Sequence, residues 1–238
     1  MKCTSRLFLA EKPEKCNIVN MTFHVITLFP GAFDSYLGES ILKRAIEDGK
    51  IKVRFYNPRD FASDKWNRID QKPYGGGPGM VIQALPVAKA IAKAKKACGT
   101  SKTKIIFFSP SGKVFDTAYA KSAASKYKHV IFVCGRYEGI DARIKKMFSM
   151  EDISVGSYVL TGGELPAMIV IDSMARQIEG VLGNYDSREE ERIASPDVYT
   201  RPEIVEFKKK KYKVPKVLLS GNHKLIDEWR NGVLGKKK

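Results

Sequence analysis

The sequence predicts an α/β protein, a mostly parallel sheet covered on both faces, followed by a small helical C-terminal domain. From Met21 onward, strand-like and helix-like segments alternate, the order that crossover connections in a parallel sheet impose. Several strand-like segments run straight into glycine-bearing loops, as they do where the carboxyl end of a sheet carries a site. After Val181 the chain turns polar, acidic and turn-rich, which marks a linker and then a second, smaller domain.

The elements follow in order. "FHVITLF" after Met21 reads as the first strand, and "AFDSYLGESILKRAIEDG" as a helix that places Leu37, Ile41, Leu42, Ala45 and Ile46 on one face, with Gly49 at its stop. "IKVRFYNP" alternates as a strand, and "LPVAKAIAKAKKA" as a helix with Pro86 in its first turn. Then come a strand "KIIFFSP", a helical "DTAYAKSAASKY", a strand "HVIFVCG", a short helix around "IDARIKKMF" and a last strand in "SYVL". "ELPAMIVIDSMARQIEGVLG" is apolar on nearly all sides from Ala167 to Ala175 and so predicts a buried helix. Beyond the linker lie the lysine row Lys208 to Lys211, a strand-like "VPKVLLS" and a helix "HKLIDEWRNG". The expected organisation is an extension over residues 1–20, poorly ordered; a main domain over 21–182; a linker over 183–196; and a C-terminal domain over 197–238.

Composition narrows the function. With 43% hydrophobic residues the chain can bury a sizeable core, and its net charge of +16 points to a polyanionic partner, nucleic acid first. The four cysteines form no CxxC pair and the three histidines are far apart in sequence, so neither a metal site nor a disulfide framework follows. No apolar run approaches the ~18 residues that a membrane-spanning helix needs, which predicts a cytoplasmic protein. The loop "PYGGGPG" lacks the Lys-Ser/Thr ending of a phosphate-cradling P-loop, which disfavours an NTPase.

Three glycine-bearing loops, "SPSGK", "GRYEG" and "TGGELP", could converge beyond the strand ends. Arg176, near the end of the apolar helix, has two readings: an i,i+4 partner for Asp172, or a fixed cation aimed into a pocket.

Taken in order, "LFPGAF", "PYGGGPGM", "GRYEGID", "VGSYVLTGGELPA", "YTRPE" and "SGNHKLIDEWR" resemble the bacterial tRNA (guanine-N1)-methyltransferases of the SPOUT class, over about nine-tenths of the chain. The resemblance implies methyl transfer from S-adenosylmethionine to N1 of the guanosine immediately 3′ of the anticodon, a reaction that helps maintain reading frame. It implies a deep trefoil knot in the carboxyl-end loops, an exception to the rule against knots. It also implies a homodimer whose target base sits between the knot of one subunit and the linker and C-terminal domain of the other. The cofactor pocket it implies comprises Ser109, Pro110, Gly135, Tyr137, Glu138, Val155, Gly156, Ser157, Tyr158, Val159, Leu160, Gly162, Gly163 and Pro166. Arg176 would hold the guanine O6. The family linker ends Ser-x-x-x-Asp-Ser-Phe; here Ser187 is followed at the same spacing by Glu191, Arg192 and Ile193, which puts Glu191 in the place of the catalytic aspartate, with Glu190 and Asp186 as rivals. Lys208, Lys209, Lys210, Lys211 and Lys213 would grip the tRNA backbone, and magnesium is a further possible requirement. Two other readings compete: an RNA-binding protein of the same fold without catalysis, and a SPOUT methyltransferase acting on ribosomal RNA, the latter disfavoured by "YTRPE" and "SGNHKLIDEWR".

Overall fold

A computed structural model describes residues 21–182 and 197–231. The chain divides after Val181 into two compact units. In the first, β1 (Met21–Ile26) is followed by a short α1 (Asp34–Leu37) and by α2 (Ser40–Glu47), β2 (Ile51–Tyr56) and a small ribbon of β3 (Asp70–Gln71) with β4 (Val81–Ile82). Then come α3 (Ala84–Cys98), β5 (Thr103–Val114), α4 (Thr117–Lys126), β6 (His129–Val133), α5 (Arg143–Met147), β7 (Glu151–Ser154) and α6 (Glu164–Ala175).

Five strands form one sheet in the order β2-β1-β6-β5-β7, every neighbouring pair parallel. All six residues of β1 are buried, as expected of a strand covered on both faces. On one side Phe23, Val25, Phe132 and Ile153 pack with α2, α4 and α6; on the other Ile26, Ile131 and Val133 pack with α3 and α5. Stacked Phe23, Phe132 and Phe108 rings run through the first of these layers.

The expected first helix breaks in two. A Cβ on Gly38 would lie 2.6 Å from the Asp34 carbonyl oxygen, and the chain restarts at Ser40 with a shifted register. Leu37, Leu42 and Ala45 are buried, whereas Ile41 is exposed. The last strand is also displaced: "SYVL" is loop, and the strand is Glu151–Ser154, paired on β5 through Phe108↔Ile153. Directly after it the Ser154 hydroxyl donates to the Gly156 carbonyl at 2.9 Å and turns the chain off the sheet, overriding the strand preference of Tyr158 and Val159. "SPSGK" sits inside β5 as an excursion, since Ile153 pairs first with Phe108 and again with Lys113.

The second unit is not purely helical. β8 (Ile204–Phe207) and β9 (Lys210–Lys213) form an antiparallel hairpin, followed by α7 (Lys216–Leu219) and α8 (His223–Arg230). Lys208 and Lys209 are its two turn residues, with φ of 48° and 62°, the geometry that matches strand twist in a two-residue turn. Lysine has low strand preference, which hid the hairpin. The strand expected in "VPKVLLS" is instead α7: Pro215 cannot donate to a ladder, and its carbonyl accepts the Leu218 N–H at 3.0 Å. Asn222 caps α8 by accepting the Leu225 N–H. Among the described residues no helix is long and apolar enough to cross a membrane.

Candidate functional site

The excursion within β5 and the loops that follow β6 and β7 meet at one cleft of about 290 Å³, near the lower end of the usual range for ligand pockets. Ser109, Pro110, Gly135, Tyr137, Glu138, Val155, Gly156, Tyr158, Val159, Leu160, Gly162, Gly163 and Pro166 all line it. Ser157 does not; it is exposed beside the cleft.

Two of these loops are fastened backbone to backbone. Gly163 N–H donates to the Gly135 carbonyl at 3.0 Å, and Arg136 and Gly162 form an antiparallel bridge. A Cβ on Gly163 would lie 2.6 Å from the Cys134 Cα, so only glycine permits this approach. The segment that follows "PYGGGPG" is fastened to the "GRYEG" loop, where Glu138 N–H donates to the Met80 carbonyl and Ile82 N–H to the Gly139 carbonyl.

A charged clamp sits beneath the loops. Glu164, the first residue of α6, is buried and accepts the Thr27 hydroxyl at 2.7 Å and Arg136 Nε at 2.9 Å. Arg136 also lies 4.7 Å over the Phe29 ring and donates to the Thr161 carbonyl. Removing one partner of such a pair strands a buried charge, so the clamp holds the mouth of the cleft rigid. Arg136 and Glu164 stand inside "GRYEG" and "TGGELP", but nothing in the sequence shows that residues 28 apart are an ion pair. Cys134, at the end of β6, is no nucleophile: burial, then the nearby Glu164 carboxylate, push its thiol well above the usual range. Tyr137 holds a left-handed φ of 57°, a local strain at the rim.

Arg176 does not line the cleft. It caps the far end of α6, its N–H on the Asp172 carbonyl at 3.1 Å, while the Asp172 carboxylate accepts the Tyr36 hydroxyl. Pro166 lines the cleft and Arg176 lies ten residues further along the helix, roughly 15 Å at 1.5 Å per residue, beyond the reach of an arginine side chain. Leu165 and Ile169, on the same stripe as Asp172 and Arg176, are 55% and 44% exposed. Glu191, with Glu190 and Asp186, lies outside the described residues. Lys208, Lys209, Lys210, Lys211 and Lys213 are all exposed on the hairpin of the second unit.

Residues 21–237 match the family model described as tRNA (Guanine-1)-methyltransferase TrmD. A tRNA (guanine-N(1)-)-methyltransferase of Clostridioides difficile strain 630 is 47% identical over 214 residues, covering 88% of this chain and 90% of the relative. The enzyme of the same description from Nitrosococcus oceani is 44% identical, covering 88% and 82%, and that from Pseudoalteromonas translucida 46%, covering 87% and 80%.

Proposed function

The chain belongs to the tRNA (Guanine-1)-methyltransferase TrmD family, and from that premise we propose how its residues divide the work of methylating guanine N1, at a site built by two copies of the chain. The activity is S-adenosylmethionine-dependent methyl transfer to N1 of the guanosine immediately 3′ of the anticodon. The observation that carries the two-chain reading is the roughly 15 Å of helix between the cleft and Arg176. In a two-fold dimer the partner's copy of α6 would bring its arginine to this cleft, and the exposed Leu165 and Ile169 stripe is the apolar surface such a contact would cover.

The cleft fits the cofactor. Gly135, Gly156, Gly162 and Gly163 line it without side chains, Gly162 and Gly163 letting the loops close on each other, and Pro166 and Leu160 supply apolar walls. When bound, S-adenosylmethionine supplies a methyl group already activated by its sulfonium. The protein's own tasks are orientation and proton removal. The target base must leave its stack before N1 can face the cleft. Glu191 would take the proton from N1, and Arg176 would donate to O6, where the resulting negative charge gathers. Lys208, Lys209, Lys210, Lys211 and Lys213 hold phosphates, a role supported by their exposure and by the charge of +16.

The carboxyl-end loops are taken to thread as a trefoil knot; the seating of Gly163 against the Cys134 backbone supports a crossing that tight. Magnesium fits less well. Glu138 is exposed, and Glu164 is already held by Thr27 and Arg136, so the steps above run on the chain's own groups. Cytoplasmic tRNA is the proposed substrate pool.

Incubation with methyl-labelled cofactor and tRNA transcripts differing only in the base 3′ of the anticodon tests this reading. One methyl group should enter the guanosine transcript and none the adenosine transcript. Tight tRNA binding with no transfer to either would instead establish the non-catalytic RNA-binding reading.

A further inference from the structure

Methyl transfer uses the carboxyl end of the sheet. The opposite end gathers a second set of capable side chains that the reaction does not touch. His24 of β1, Cys98 at the end of α3 and His129 at the start of β6 are far apart in sequence, yet their ligand atoms all lie within 4.8 Å of one another. His24 Nε2 is 3.0 Å from His129 Nδ1 and 3.5 Å from Cys98 Sγ. The sheet register explains the meeting. His129 pairs with Thr22, so His24, two residues further along β1, projects from the same face as its diagonal neighbour. Cys98 is carried onto that face by α3, whose Ala90, Ile91 and Ala94 pack there.

Two features turn the cluster toward a ligand. His24 Nδ1 is 2.9 Å from the Tyr56 hydroxyl, which leaves Nε2 facing the cysteine and the second histidine, as a hydrogen bond on the far ring nitrogen orients metal-binding imidazoles. A tetrahedral zinc ion bound by nitrogen and sulfur sets edges of about 3.3 Å between nitrogens and about 3.6 Å from nitrogen to sulfur. The two measured separations lie within a few tenths of an ångström of those edges. His24 and Cys98 are buried and His129 is half-buried, so solvent can reach a fourth position from the histidine side. Burial raises the Cys98 thiol above its usual range, only partly offset by a hydrogen bond with Thr103 and by the positive charges of Arg54, in register with His24 on β2, and Lys95. The Cys98 Sγ lies 3.1 Å from the Ala94 carbonyl, a contact that metal binding would give up as the thiol proton leaves to solvent.

We propose that His24 Nε2, Cys98 Sγ and His129 Nδ1 bind one thiophilic divalent ion of the zinc class, with water as fourth ligand. The ion would tie the end of α3 to β1 and β6. The site is separate from methyl transfer: His129 opens β6, and the cleft loop begins beyond its last residue, Val133, roughly 13 Å further along at 3.3 Å per residue.

The test is titration of the metal-stripped full-length protein with cobalt(II), whose thiolate charge-transfer and tetrahedral ligand-field bands report the ligand set directly. One equivalent should raise both bands and zinc should abolish them. Cys98→Ser should lose the charge-transfer band, His129→Gln should weaken binding at least about tenfold, and Cys134→Ser should behave like the parent. Zinc should raise the thermal midpoint of the parent and not that of Cys98→Ser, while methyl-transfer turnover stays within about twofold in His129→Gln. Absence of the thiolate band in the parent overturns the site, as does its survival in Cys98→Ser. If Cys98→Ser fails to fold, His129→Gln decides alone: parental cobalt affinity in that variant refutes the assignment.

Discussion

Replacing Gly163 by alanine is the sharpest probe of how the cleft is held together. The added Cβ would lie 2.6 Å from the Cys134 Cα and 3.1 Å from both the Cys134 Cβ and the Gly135 nitrogen. Carbon–carbon contacts settle near 3.5–4.0 Å, so the two loops must part by about 1 Å. Overpacking of this kind costs about 1–3 kcal/mol, and loss of the Gly163 to Gly135 hydrogen bond adds about 0.5–1.5 kcal/mol. The sum, roughly 1.5–4.5 kcal/mol, is smaller than the ~5–15 kcal/mol by which domains are stable, so the variant folds. Its thermal midpoint should fall by roughly 3–18 °C. Calorimetric titration should show cofactor affinity reduced at least about tenfold. Gly156→Val is the control, because the atoms nearest its Cβ belong to the exposed Tyr158 ring, which can swing aside. It should cost less than about 1 kcal/mol of stability yet fill the cleft and abolish binding. Parental melting and affinity in Gly163→Ala would mean that close approach of the two loops does not build the site.

Arg176→Ala should lower turnover at least about tenfold with cofactor affinity unchanged, the loss expected when a donor to a developing oxyanion is removed; single-turnover kinetics and calorimetry separate the two effects. Glu191→Gln should slow transfer at every pH below that at which guanine N1 ionises by itself, whereas Glu190→Gln and Asp186→Asn should not, and a parental rate in Glu191→Gln sinks the assignment. Exchanging Lys208, Lys209, Lys210 and Lys211 for serine should flatten the fall of tRNA affinity with salt, measured by filter binding across a salt series, and an unchanged slope moves the binding surface elsewhere.

What the sequence revealed, and what it hid, follow physical lines. β1 and β6 were legible because strands buried on both faces read as continuous apolar runs. The cleft loops were legible because glycines, an acid and a proline after a strand are unusual in a turn of no consequence. β7 was misplaced because "SYVL" has the better strand residues, whereas pairing with Phe108 and the Ser154 turn chose "EDIS". The hairpin was hidden because its turn is two lysines rather than Asn-Gly. The Arg136–Glu164 clamp and the His24, Cys98 and His129 cluster depend on tertiary register alone, so no local spacing announces them.

Subunit mixing tests the two-chain site most directly. Arg176→Ala keeps a sound cleft, and Gly156→Val keeps a sound arginine. When equal amounts are unfolded together and refolded, half of the dimers should be mixed, and each mixed dimer should pair the sound cleft of one chain with the sound arginine of the other. Methyl transfer should return to about a quarter of the parental rate per chain, although each variant alone is nearly inactive. No recovery in a mixture shown to contain mixed dimers would mean that cleft and arginine serve one and the same chain, contradicting the account.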